Sequence, residues 1–147
     1  MERKYIGQNG PQKGANNMKL WRYAVLWYLG GFLYFCLEVL WRGWSHGSMF
    51  VLGGICFVLI GELGQQKEPL PPVIRTLVGA GIITLGELAA GLMVNRDYSV
   101  WDYRGMPGNF LGQICVSYCL LWIPVSLGAM VLYDLFTVLF FRKSVAG

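Results

Sequence analysis

Residues 98–122, YSVWDYRGMPGNFLGQICVSYCLLW, change character midway. From Tyr98 to Asn109 they are aromatic, polar and turn-forming, with Asp102, Arg104, Gly105, Pro107, Gly108 and Asn109 close together. From Phe110 onward they are uncharged and mainly apolar. A soluble domain seldom follows such a polar turn with an uncharged segment of this length. The stretch reads as a loop at a membrane surface that enters the bilayer.

The remainder of the chain carries the same signal. Of 147 residues 55% are hydrophobic and 14% charged, against about 45–50% and about 25% in soluble domains. The apolar residues cluster in runs long enough to cross about 30 Å of hydrocarbon, roughly 20 residues each. The expected fold is an all-α membrane protein of four transmembrane helices, near Trp21–Trp41, Met49–Gly64, Val73–Val94 and Phe110–Phe141. Pro124 would kink the last and longest of them. The prolines of QQKEPLPP, residues 65–72, end the second span, since proline is not tolerated in a helix interior. The first apolar run is too long for a signal peptide and follows a polar segment, so it reads as a retained span. Residues 1–20 are basic and rich in Gly and Asn, which predicts a flexible tail. Residues 21–147 then form a single transmembrane domain.

Four spans place both termini on one side. That side holds Arg3, Lys4, Lys13, Lys19, Arg22, Lys67, Arg75, Arg142 and Lys143, whereas the other holds Arg42, Arg96 and Arg104. Such a bias predicts cytoplasmic termini, with an ordered outer loop between the third and fourth spans. The net charge of +4 lies at helix ends and in the tail, so nucleic acid is not an expected partner. Cys36, Cys56, Cys115 and Cys119 all fall in apolar runs and read as small hydrophobes. Leu52-Gly53-Gly54-Ile55-Cys56 is echoed by Leu111-Gly112-Gln113-Ile114-Cys115. The echo admits two tandem helix hairpins related by an axis along the membrane normal.

Charged groups near a span centre cost at least about 2.5–3.5 kcal/mol and need a partner or an aqueous cavity. Glu38 precedes Arg42 by one helical turn and reads as its ion-pair partner. Glu62 sits near the inner boundary, close to Lys67. Glu87 is deeper, about 12 Å into the third span. It shares a narrow face with Ala80, Thr84 and Gly91, which suits close contact with another helix. The polar cluster expected beneath the outer surface is Glu38, Arg42, His46, Glu87, Asp102, Asn109 and Gln113. As a binding site it would take a cation or polar head group, with Glu87 exchanging a proton; as a structural network it would tie the loop to the helices. Asp134 is the inner polar residue, with Arg75 or Lys67 as its expected partner. Trp101 and Tyr103 read as members of interfacial aromatic belts.

The segments SMFVLGGICFVLIG (Ser48–Gly61), ITLGELAAGLMVN (Ile83–Asn95) and VWDYRGMPGNFLGQICVSYCLLW (Val100–Trp122) resemble a small bacterial membrane family catalogued as "putative ABC transporter permease", the type IV group. The resemblance spans roughly Trp21 to Phe141. It implies a transport component driven by a separate ATPase. A homo-oligomer in the lipid bilayer is expected, with that ATPase or another membrane protein as partner. An accessory structural subunit is the alternative, and a lipid-directed membrane enzyme using Glu87, Asp102 and His46 is a third reading. Neither the Walker phosphate loop nor HExxH or CxxC occurs. No cofactor, metal site or catalytic residue is therefore assigned, and the expected role is not enzymatic.

Overall fold

The computed structural model describes residues 10–68 and 70–141. It contains α1 (Gly10–Arg42), α2 (Gly47–Gly64), α3 (Pro72–Val94) and α4 (Val116–Phe141). All four are long and apolar enough to cross a membrane, so the chain is an all-α, multi-pass membrane protein.

Helix boundaries follow local chemistry. His46 caps α2, its ring Nδ1 accepting from the Ser48 amide at 3.2 Å. Pro72 opens α3, at the position where its missing N–H is harmless. α4 runs through Pro124. α1 has 33 residues, about 50 Å at the helical rise, so it exceeds the roughly 30 Å hydrocarbon core. Its extra turns fall within the segment expected as a flexible tail: residues 1–9 lie outside the described residues, but Gly10–Leu20 is helical. Extending a formed helix fixes one residue per added hydrogen bond, and Ala15, Met18, Lys19 and Leu20 are favourable residues for it.

Each hairpin packs chiefly on itself, α1 on α2 and α3 on α4, while α2 also contacts α3 and α4. α2 is thus the centre of the bundle. Without a hydrophobic force between helices in lipid, close backbone approach supplies the attraction. Gly53 and Gly54 meet Tyr34 and Trp27 of α1, and Gly61 lies on the Tyr133 ring of α4, so a Cβ at any of the three would overlap its neighbour. Cys56, Ile60, Ala80, Ile83, Trp122 and Met130 form the core shared by α2, α3 and α4. Leu26, Phe57 and Tyr133 join α1, α2 and α4 at another level. α1 and α4 meet only sparsely, and among the described residues α1 does not reach α3.

The fourth helix begins at Val116, not at the expected Phe110. Residues 110–115 instead form a tight turn closed by an isolated bridge between Phe110 and Ile114, with the Phe110 amide donating to the Ile114 carbonyl at 2.8 Å. Leu111 and Gly112 take left-handed backbone angles, φ 53° and 64°, which a right-handed helix cannot contain. The sequence echo therefore has no structural counterpart here: Leu52–Cys56 lies inside α2, whereas Leu111–Cys115 precedes α4. The hairpin pairing survives; the proposed matching entries do not.

Candidate functional site

The polar residues gather where the turn between α1 and α2 meets the 95–115 loop. Met49, Val100 and Trp101 form a small buried cluster there. At its centre lies Asn95, the C-cap of α3, fully buried. Its side-chain oxygen accepts from the amides of Val100 at 2.8 Å and Trp101 at 3.3 Å. Its Nδ2 donates to the Trp101 carbonyl at 2.7 Å and to Gln113 Oε1 at 3.0 Å. Gln113 Nε2 returns a bond to the Asn95 carbonyl at 3.0 Å, and the Trp101 indole donates to the Gln113 carbonyl at 2.9 Å. Every polar atom of the two amide side chains is engaged, as burial demands. Gly91 leaves the space on α3 that the Gln113 side chain fills.

Glu87 lies one level deeper and is 4% exposed. Each carboxylate oxygen takes one neutral donor: Oε1 from the Tyr103 hydroxyl at 2.9 Å, Oε2 from the Trp122 indole at 3.0 Å. Tyr103 comes from the loop and Trp122 from α4, so the carboxylate joins three segments. Tyr103 also stacks on Tyr118, ring centroids 4.8 Å apart. Burial first, and then the Glu87 charge, raise the Tyr103 phenol above its ordinary range, so it stays a donor.

A separate group closes the surface. Arg42 donates to Glu38 at 2.8 Å and to the Val100 carbonyl at 3.0 Å, and Ser45 donates to the other Glu38 oxygen at 2.6 Å. The end of α1 is thereby tied to the loop. Asp102 receives two side-chain bonds from Arg104, at 2.9 and 2.7 Å. The Arg104 bonds hold its exposed carboxyl down to about 2. Asn109 donates to the carbonyls of Arg104 at 3.2 Å and Met106 at 2.9 Å, bracing the loop tip.

The structure thus divides the seven expected residues. Glu38 and Arg42 pair as expected, and Gln113 is buried with Asn95. Among the described residues Asp102, Asn109 and Gln113 make no bond to Glu87; Asp102 and Asn109 are exposed and serve the loop itself. His46 caps α2, and no group of three His, Cys, Asp or Glu side chains able to hold a metal forms among the described residues. Asp134 accepts from Gln65 at 2.6 Å, in place of Arg75 or Lys67. Glu62, read as a solvated end near Lys67, accepts from Tyr133 and lies 3.7 Å from Arg22, joining α1, α2 and α4.

Sequence reasoning missed Asn95, Tyr103 and Trp122 as site members and placed Trp101 and Tyr103 in interfacial belts. A usable signal existed: a deep carboxylate needs donors, and in an apolar setting Tyr and Trp provide one donor each. The residues 43–47, GWSHG, also match the G-x-S-x-G nucleophile pattern. That pattern requires a strand-to-helix elbow, and here it joins two helices, with Ser45 bonded to Glu38 and His46 acting as a cap. It carries no catalytic geometry.

A search of curated proteins and one of solved structures each returned no match. Residues 25–145 match the family described as "Putative ABC-transporter type IV". That span takes in the second half of α1, all of α2, α3 and α4, and the Asn95–Gln113 and Glu87–Tyr103–Trp122 networks, and by it the chain belongs to this family of membrane proteins.

Proposed function

We infer that the protein is a non-catalytic membrane component of a transport assembly, in which Glu87 latches the 95–115 loop onto the bundle and does not bind cargo. The carrying observation is that the carboxylate is held from within and is hardly exposed: each oxygen takes a neutral donor, one from the loop and one from α4, and Glu87 is 4% exposed. The family description supplies the transport setting. The reading includes a separate ATPase, since the sequence lacks a Walker loop, together with a bacterial plasma membrane, cytoplasmic termini and a homo-oligomeric state.

Two substitutions test the latch. Glu87→Gln can still accept from Trp122 and can donate to the Tyr103 hydroxyl, so both contacts survive, with donor and acceptor exchanged in the Tyr103 bond alone. Glu87→Leu leaves the buried Trp122 indole without a partner, at about 1–3 kcal/mol, and the half-buried Tyr103 hydroxyl without its acceptor. The Leu variant is expected to melt several degrees below the parent and to show faster hydrogen exchange across residues 98–112, with the Gln variant close to the parent. Unchanged melting and exchange in Glu87→Leu would remove the latch.

A second reading rests on one observation: Tyr103 and Trp122 also wall a cleft between α1 and α4. Glu87 then lies one side chain behind that cleft and exchanges a proton with it. A carboxylic-acid infrared band that titrates with pH and vanishes in Glu87→Gln would favour this reading over the latch.

A further inference from the structure

The sparse contact between α1 and α4 leaves the bundle open along one side. Two compartments of about 190 Å³ each adjoin there, sharing Tyr34, Leu37 and Val125 as walls. The compartment nearer the loop carries Glu38, Arg42 and Tyr103. The other is walled almost wholly by apolar groups, and at Gly128 nothing lies within 4 Å of where a Cβ would stand. The cleft is thus polar at one end and apolar along the rest.

Its dimensions select an occupant. Along α1 the lining runs from Arg42 to Gly30, about 18 Å at the helical rise, close to the roughly 15 Å depth of one hydrocarbon leaflet. A dry apolar cavity of about 150 Å³ accepts a benzene, so two adjoining compartments of this size suit a slender chain. A helix with side chains, about 10–12 Å across, is too wide. The polar end is electrically balanced: Glu38 and Arg42 pair at 2.8 Å, both partly exposed. A balanced pair of opposite charges complements a zwitterion better than an anion, and an ammonium carrying N–H donors can hydrogen-bond the Glu38 carboxylate where a quaternary choline cannot.

We propose that this cleft is a phospholipid site, in which one acyl chain of a bilayer phosphatidylethanolamine lies between α1 and α4, its phosphate toward Arg42 and its ammonium toward Glu38. The lipid fills the gap that helix packing leaves and joins the two hairpins on the side where protein contacts are thinnest. The site shares Tyr103 and Trp122 as walls with the Glu87 latch, but lipid occupancy does not require the bonds that those side chains make to Glu87.

The test is native mass spectrometry of the full chain, released from nanodiscs containing equal parts phosphatidylethanolamine, phosphatidylglycerol and phosphatidylcholine. One phosphatidylethanolamine is expected to survive delipidation of the parent. Gly128→Leu places a side chain in the chain path and is expected to weaken retention about tenfold, the effect of displacing about two methylenes. Gly81→Leu, at an equally open site on α3, is expected to retain the lipid. The double variant Glu38→Gln with Arg42→Gln is expected to lose the preference among head groups. Should Gly128→Leu fail to fold, Val125→Phe narrows the same cleft. Equal retention in the cleft-filling variant, no preference in the parent, no retained lipid, or a second protein copy released by the cleft-filling variant would each overturn the proposal.

Discussion

Asn95 shows most clearly how much one side chain can organise. Its amide bonds two backbone amides, one carbonyl and one side chain, all without solvent access. Asn95→Ala removes these bonds together and leaves the Val100 and Trp101 amides and Gln113 short of partners. At about 1–3 kcal/mol for each buried unsatisfied group, the loss is expected to be several kcal/mol, larger than for Glu87→Gln. Thermal melting of the purified protein in one detergent checks the order. The sequence marked Glu87 as a problem because a deep carboxylate is rare in lipid, but it did not mark Asn95. An Asn following an apolar helix looks like an ordinary end cap until the chain folds back over it. Asp102 shows the converse: beside Trp101 and Tyr103 it reads as a neighbour of Glu87, yet its exposed carboxylate bonds Arg104 two positions along and makes no bond to Glu87.

Among the elements, the entry to α4 departs most from expectation. Periodicity and hydropathy continue from Phe110 without a break, so apolar content alone extends the helix to that point. Gly112, at φ 64°, marks the true limit. A Cβ there would enter the space of the Arg104 and Tyr98 side chains, and the left-handed angle itself costs an L-residue about 1–2 kcal/mol. Gly112→Ala is expected to destabilise by at least that amount and to raise hydrogen exchange across residues 98–115, leaving α1 and α2 protected. Exchange unchanged from the parent would show that the turn does not depend on glycine. The other three helices were legible within two residues at most ends because their boundaries are local: a histidine cap, a pair of prolines, a terminal asparagine. The turn before α4 depends on Gln113 reaching Asn95, a contact across 18 positions that no window of sequence contains.

At the scale of the whole molecule, the structure puts the 43–46 turn and the 95–115 loop at one end of the bundle, joined by the Arg42 bond to Val100. The distribution of Lys and Arg predicts which face of the membrane that end occupies. A cysteine introduced as Ser99→Cys is expected to react with an impermeant maleimide on intact cells, whereas Gln66→Cys is expected to react only after lysis. The reverse pattern would invert the topology. By itself the sequence determined the membrane environment, the four spans, the chief hairpin pairing and the depth of Glu87. These follow from composition, length and helical rise, which are additive along the chain. Tertiary structure alone decided that Tyr103 and Trp122 hold Glu87, that Asn95 and Gln113 hold the loop, and that α1 and α4 stand apart. Those outcomes depend on which faces meet when glycines let backbones approach, a property of paired surfaces and not of any one segment.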